Sequence, residues 1–161
     1  MRLFLLAVII LAPISVSACV CAGTQTVRQA FRESSAVFSG RVIAAEFRGG
    51  IKNEFAEMEA EYRGKKRDYE VLVYRFEVIG WYKGGSYSTR EVTIVTNDIR
   101  YLDDKTESVS DCDLAFNRSE SYLIYAYGDR GELAAGLCSR TKRLARAKND
   151  LIALETYRKK R

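Results

Sequence analysis

Two cysteines one residue apart, Cys19 and Cys21, stand far ahead of the only other two, Cys112 and Cys138. An even count in an exported chain reads as two disulfides. A bond between Cys19 and Cys21 would close a strained, very small ring. Two arrangements remain open, and either ties residues 19–21 to the later half of the chain. Closing a loop of about a hundred residues is worth roughly 4–5 kcal/mol in the chain-entropy description. The fold must therefore bring its beginning beside segments around 112 and 138. A four-cysteine metal site fits poorly, because the late cysteines are too far apart for a C-x-x-C pair.

Export is read from residues 1–18. Arg2 gives a positive start, 3–14 is an apolar run interrupted only by Pro13, and Val16-Ser17-Ala18 supplies small residues at a cleavage site. The run is too short and poorly flanked to span a bilayer comfortably. The expectation is a signal peptide over 1–18, a mature chain beginning at Cys19, and one domain over 19–161 in an extracellular or periplasmic space. Val16-Ser17-Ala18-Cys19 also resembles a lipobox, which gives the alternative of a membrane-anchored lipoprotein. Lipidation would consume the Cys19 sulfur and leave one of the other three cysteines without a partner.

Loss of Arg2, the only charge in the leader, lowers the formal charge from +5 to +4. Part of the excess sits in Arg158-Lys159-Lys160-Arg161, read as a solvated chain end with at most weak contact to acidic polymers or membrane surfaces. Nothing calls for nucleic acid or for a cofactor, and a monomer is expected. There is no histidine. Cys-His and Ser-His-Asp nucleophile systems lack their general base, and histidine-ligated zinc is excluded as well. No G-x-S-x-G, S-x-x-K or glycine-rich phosphate loop occurs. The reading is of a non-enzyme.

Thr26-x-x-Gln29 reads as a capping box opening a short helix with Val27, Ala30 and Phe31 on one face. A strand is expected over about 36–47, with Val37, Phe38, Val42 and Ile43 apolar and Gly40 at a bend. Residues 48–69 read as an exposed long hairpin or a partly helical insertion. Alternation returns over 69–81, where Leu72, Tyr74, Phe76 and Val78 form a wholly apolar core face. After the turn Lys83-Gly84-Gly85-Ser86 comes a third strand over 91–96. A polar loop with Asp103-Asp104-Lys105 leads to Cys112, and strands over 121–127 and 132–138 complete the set. From Thr141 the period turns helical, with Leu144, Ala147, Leu151 and Leu154 in one stripe. The fold class expected is mainly β: a five-stranded OB-fold-like barrel with a short N-terminal helix, a longer C-terminal helix and two disulfides.

Several of these residues resemble the N-terminal domain of the tissue inhibitors of metalloproteinases, the netrin-like module, which is an OB-fold. They are Cys19-Val20-Cys21, Ala30-Phe31, Val37-Phe38-Ser39-Gly40-Arg41-Val42, and Glu107-Ser108-Val109 followed by Cys112. Asn117-Arg118-Ser119-Glu120-Ser121-Tyr122-Leu123-Ile124, Gly131-Glu132-Leu133 and Cys138-Ser139 continue the match, which spans most of 19–161. The resemblance implies pairing of Cys19 with Cys112 and of Cys21 with Cys138. It also implies an inhibitory ridge of Cys19, Val20, Cys21, Ser110 and Asp111. In such inhibitors the α-amino nitrogen and carbonyl oxygen of the N-terminal cysteine chelate a protease's catalytic zinc. Here Cys19 would be that metal ligand in trans, Val20 would enter the specificity pocket, and a zinc metalloprotease would be the partner. Ala22-Gly23 stand where the family carries a proline, and Arg32 replaces a family cysteine. The alternative is a non-inhibitory extracellular or envelope binding module. Asn117-Arg118-Ser119 also fits a glycosylation sequon at Asn117.

Overall fold

Thirteen residues without a proline and rich in β-branched or aromatic side chains form β1 (Ala36–Arg48), and its two edges set the architecture. In the computed structural model, which describes residues 19, 21, 23–129 and 132–158, the elements run in a defined order. α1 (Val27–Glu33) leads into β1, then α2 (Glu54–Arg63), β2 (Tyr69–Lys83), β3 (Glu91–Tyr101) and β4 (Glu107–Ser108). β5 (Ser121–Asp129), β6 (Glu132–Ala134), β7 (Lys142–Arg143), a 3₁₀ turn (Leu144–Arg146) and α3 (Lys148–Arg158) follow. The expected leader, Val20, Gly131 and Lys159-Lys160-Arg161 lie outside the described residues.

β1 pairs antiparallel with β2 and also, through residues 36–41, with β5. β2 pairs with β3, β3 runs parallel to β6, and β6 pairs back to β5. Five strands thus form a ring, β1-β2-β3-β6-β5 and again β1, with β4 and β7 added to β3 and β5. The ring is uneven. The β1–β2 ladder is long, whereas β3 and β6 share only Ile94↔Leu133 and Val95↔Ala134. Register shifts between Ser39 and Gly40 and between Val42 and Ala44 bend β1 so that it can serve both neighbours. Gly40 suits that bend, since a Cβ there would crowd the Glu77 carbonyl oxygen at 3.1 Å and the Phe38 ring at 3.1 Å.

Side chains alternate across the ring wall. Phe38, Val42, Tyr74, Phe76, Ile94, Tyr122 and Ile124 point inward, with Phe116 and Trp81 among them. The intervening Val37, Leu123 and Tyr125 point outward and are buried under α1 and α3 with Ala30, Ala147 and Leu154. The expected helical stripe is accordingly a packing face. Thr26 caps α1, its hydroxyl accepting the Gln29 amide at 3.2 Å. At the other end of α1 the Lys83 ammonium donates to the Phe31, Arg32 and Ser34 carbonyls, which a helix end leaves open.

The structure revises several boundaries. Residues 48–69 contain a full helix, α2, whose N-cap Asn53 accepts the Ala56 amide at 3.1 Å. α2 buries Ala56 with Val71, Ile99 and Tyr101, so β2 near Val71 is also covered on the face opposite the expected core face. Val71 is buried for that reason, while Phe55, Met58 and Tyr62 of α2 stay exposed. β3 runs five residues beyond the expected end at Thr96, because β2 and β4 both offer partners to Ile99. The last expected strand stops at Ala134 instead of Cys138, and residues 142–143 pair with β5 before α3 begins.

Leu154 is wholly buried where α3 meets the ring. Leu154→Ala should cost about 2–5 kcal/mol of unfolding free energy, read as a lower urea midpoint with unchanged slope. A loss below about 0.5 kcal/mol would mean that α3 is not part of the cooperative core.

Candidate functional site

The two turns that carry the late cysteines are sewn to each other before any disulfide is considered. Leu137 donates its amide to the Cys112 carbonyl at 2.7 Å, and Asp113 bridges Gly136 in antiparallel fashion. Gly136 permits this approach, since a Cβ would stand 3.3 Å from the Cys112 carbonyl oxygen and 3.2 Å from the Tyr127 hydroxyl. Cys19 bonds to Cys112 and Cys21 to Cys138, with Cα separations of 5.4 and 5.2 Å. Both lie in the ordinary range for disulfides. Residues 19 and 21 are therefore held at two points on one platform. Of the two pairings left open by the cysteine count, this is the one implied by the family resemblance.

Ser110 is fixed from three sides. Its amide donates to the Asp98 carboxylate at 2.6 Å, its hydroxyl accepts the Cys112 amide at 3.2 Å, and its carbonyl accepts the Asp113 amide at 3.3 Å. Asp111 follows at the tip of the turn, exposed. Beneath it the Asp113 carboxylate accepts both the backbone and side-chain amides of Asn97, the latter at 3.1 Å. Burial pushes the Asp113 carboxyl above the usual carboxylate range; the Asn97 bonds oppose this and the charge of Asp98 adds to it. Burial likewise raises the Tyr127 hydroxyl, with a further contribution from the Asp113 charge. Around these turns Val109 is 71% exposed, Leu137 48% and Tyr127 46%.

The segment after Cys21 is held by a buried charge cluster. Arg140 donates one guanidinium nitrogen to the Gln25 carbonyl and two others to Asp150 at 2.7 and 3.0 Å. Lys142 and the Tyr125 hydroxyl each approach Asp150 at 3.2 Å. Asp150 is only 3% exposed, and burial alone would raise its carboxyl. The hydrogen bonds and charges of Arg140 and Lys142 prevail and hold it below the usual range.

Of the residues expected to form the ridge, Cys19, Cys21, Ser110 and Asp111 are brought together with Cys112 and Cys138, while Val20 lies outside the described residues. Asn117 belongs elsewhere. It sits exposed in the turn before β5, its amide donating to the Tyr122 hydroxyl at 3.0 Å and its side chain to Glu120 at 3.3 Å. Sequence reasoning did not reach Asn97, Asp98, Asp113, Tyr127 or Leu137. The third strand was expected to end at Thr96, so Asn97 and Asp98 fell outside it. With its sulfur bonded to Cys112, residue 19 can offer a metal only backbone atoms. Among the described residues no group of three or more Cys, Asp or Glu is arranged to hold a metal ion. Among them, too, no helix is long and apolar enough to cross a membrane. No protein-family model matches the chain, and no curated protein is significantly similar to it.

Because the folded Asp150 carboxyl titrates below its unfolded value of about 3.9, its contribution is complete above that pH and is lost as pH falls through the lower folded value. Asp150→Asn should lower stability at neutral pH and flatten the decline below about pH 4. Parallel acid unfolding curves for the two proteins would show that Asp150 does not carry this linkage.

Proposed function

We propose that the chain is an exported inhibitor of zinc metalloproteases that acts through the backbone of Cys19 once the leader is removed after Ala18. The observation that carries this reading is the double stapling of residues 19 and 21 to adjoining turns at one end of the ring. A terminal segment is ordinarily loose. Here two disulfides separated by a single residue immobilise it, so binding would cost little further ordering.

The chemistry follows from what residue 19 has left to give. Its sulfur is engaged, which leaves the α-amino nitrogen and the carbonyl oxygen as a chelating pair. An α-amino group titrates at roughly 7.7–8.0, so a neutral fraction is available to a metal near neutral pH. Val20 would be the side chain offered to the enzyme's specificity pocket, with Ser110 and Asp111 as the second rim. The absence of histidine from the chain agrees with a protein that blocks catalysis instead of performing it. Disulfide bonding of Cys19 also argues against the lipoprotein alternative, in which that sulfur carries a lipid.

The finer fold reading belongs to the same proposal. The ring order, with one parallel seam between β3 and β6 and all other pairings antiparallel, supports an OB-fold-like, netrin-like domain. The cysteine pairing supports the resemblance to the tissue inhibitors of metalloproteinases in the same way.

One residue added before Cys19 should abolish inhibition of a susceptible metalloprotease, since the α-amino nitrogen becomes an amide. Mass under non-reducing conditions and the thermal midpoint should remain those of the intact two-disulfide fold. Full inhibition by the extended protein would sink the chelation mechanism. An acyl or diacylglyceryl mass on Cys19 would sink the inhibitor reading as a whole.

A further inference from the structure

Three consecutive cations, Lys65-Lys66-Arg67, follow the last turn of α2, the one such run ahead of the chain end at Arg158-Lys159-Lys160-Arg161. Residues 61–66 are all exposed, and α2 ends at Gly64 in the left-handed region, φ 62°. The Lys65 amide still reaches back to the Ala60 carbonyl at 3.1 Å, and the Asp68 carbonyl already accepts the Leu102 amide at 3.0 Å. Between these anchors the peptide groups of Lys66 and Arg67 make no hydrogen bond among the described residues, and the ammonium groups of Lys65 and Lys66 have no acceptor there. Arg67 differs from its two neighbours. Its guanidinium donates to Asp103 at 3.0 and 3.1 Å, pairs with Asp104 at 2.6 Å and lies 3.7 Å over the Tyr101 ring, so only 15% of the side chain is exposed.

The other described loop lysines are tied down. Lys52 precedes buried Asn53, whose amide donates to the Tyr69 hydroxyl and whose side chain donates to the Asn97 carbonyl. Lys105 sits in a turn closed twice: the Tyr101 amide donates to the Thr106 carbonyl, and the Thr106 amide donates to the Asp104 carboxylate.

Independently of the inhibitor reading, we infer that this segment is a processing site for a trypsin-class serine protease that takes lysine in its primary pocket. Such an enzyme binds several residues in extended form, so its substrate must be able to leave the fold at little cost. The exposed last turn of α2 can fray without uncovering core, since the buried residue of this helix is Ala56, near its start. Hydrolysis after Lys65 or Lys66 consumes one water and leaves a carboxylate on that lysine and an amino group on the residue that follows. The bond after Arg67 is protected, because its guanidinium would have to leave Asp103 and Asp104 to fill the protease's pocket. Cys19 and Cys21 lie before the cut and Cys112 and Cys138 after it, so both disulfides join the two chains. The β1–β2 ladder spans the cut as well. The product is a folded two-chain protein in which α2 is joined to the chain only through its Asn53 end.

The test exposes the folded two-disulfide protein to trace amounts of a lysine-specific and, separately, an arginine-specific endoprotease. Cut sites are read by mass spectrometry before and after reduction. The lysine-specific enzyme should cut first at Lys65 or Lys66, raising the mass by one water and yielding two chains only on reduction. Lys65→Gln combined with Lys66→Gln should slow the first cut at least about a hundredfold with the thermal midpoint unchanged, since the remaining lysines require larger openings. The arginine-specific enzyme should spare the bond after Arg67 until Asp103→Asn and Asp104→Asn are introduced together, and should then cut it. Three outcomes would overturn the inference: a first cut at Lys52, Lys105 or Lys148, a cutting rate that follows global unfolding in urea, or cleavage after Arg67 that is the same with and without those two carboxylates.

Discussion

Everything in this molecule is arranged around the use of β1 on both edges. Residues 37–41 pair with β2 on one side and with β5 on the other, which closes the sheet on itself. A strand can serve two neighbours that curve toward each other only if it bends, and the register shifts at Ser39–Gly40 and Val42–Ala44 supply the bend. Closure then separates the two parities of the strand. Phe38 and Val42 enter the enclosed core while Val37 faces out, where it would be exposed without α1 and α3. The terminal helices are thus a consequence of closing the ring: they cover an outer surface that β1 and β5 make apolar.

The ring is weakest where β3 and β6 meet, and the platform for the N-terminal segment is built at that point. After Ile94↔Leu133 and Val95↔Ala134 the two strands part. Asp113 fills the opening, its carboxylate accepting the Asn97 amides and its backbone bridging Gly136. A half-buried carboxylate in this position substitutes for the ladder bonds that a longer β6 would have provided. The neighbouring Cys112 and Cys138 then fasten residues 19 and 21 across the same opening. The disulfides therefore reinforce the seam with the fewest backbone bonds, besides constraining the unfolded chain.

What could be read from the sequence was the part decided by local periodicity. The apolar face of β2, the α1 cap at Thr26 and the stripe Leu144, Ala147, Leu151 and Leu154 were all visible, because each repeats at the spacing of its own element. The cysteine count narrowed the tertiary contacts to two patterns. Features created by partners distant in sequence were not legible. Val71 lies on the parity of its strand not expected to face the core, and it is buried because α2 covers that end of the sheet. α2 itself, with four glutamates in ten residues and Phe55, Met58 and Tyr62 left outside, shows no amphipathic signature to announce it. Asn97 and Asp98 fall beyond the strand expected over 91–96, whereas they are the residues that grip the turn bearing Cys112. A polar residue inside a strand gains its meaning from what lies across from it, and that information is not local.

The rigidity of the stapled end bears on what kind of function it can perform. Ser110 is held by three hydrogen bonds, the Cys112 carbonyl by Leu137, and the Gln25 carbonyl by an arginine that is itself fixed on buried Asp150. Each constraint fixes a backbone amide or carbonyl, with the Ser110 hydroxyl as one of the holding groups, so the course of the chain here does not depend on the side chains of Val109 and Asp111. Asp111 and Val109 can therefore vary in charge and size without loss of the platform beneath them. A surface built in this way separates the part that recognises from the part that holds. On the proposed reading, the pinned backbone would fix where residue 19 presents its nitrogen and oxygen, and the exposed side chains around it would bear on which partner approaches.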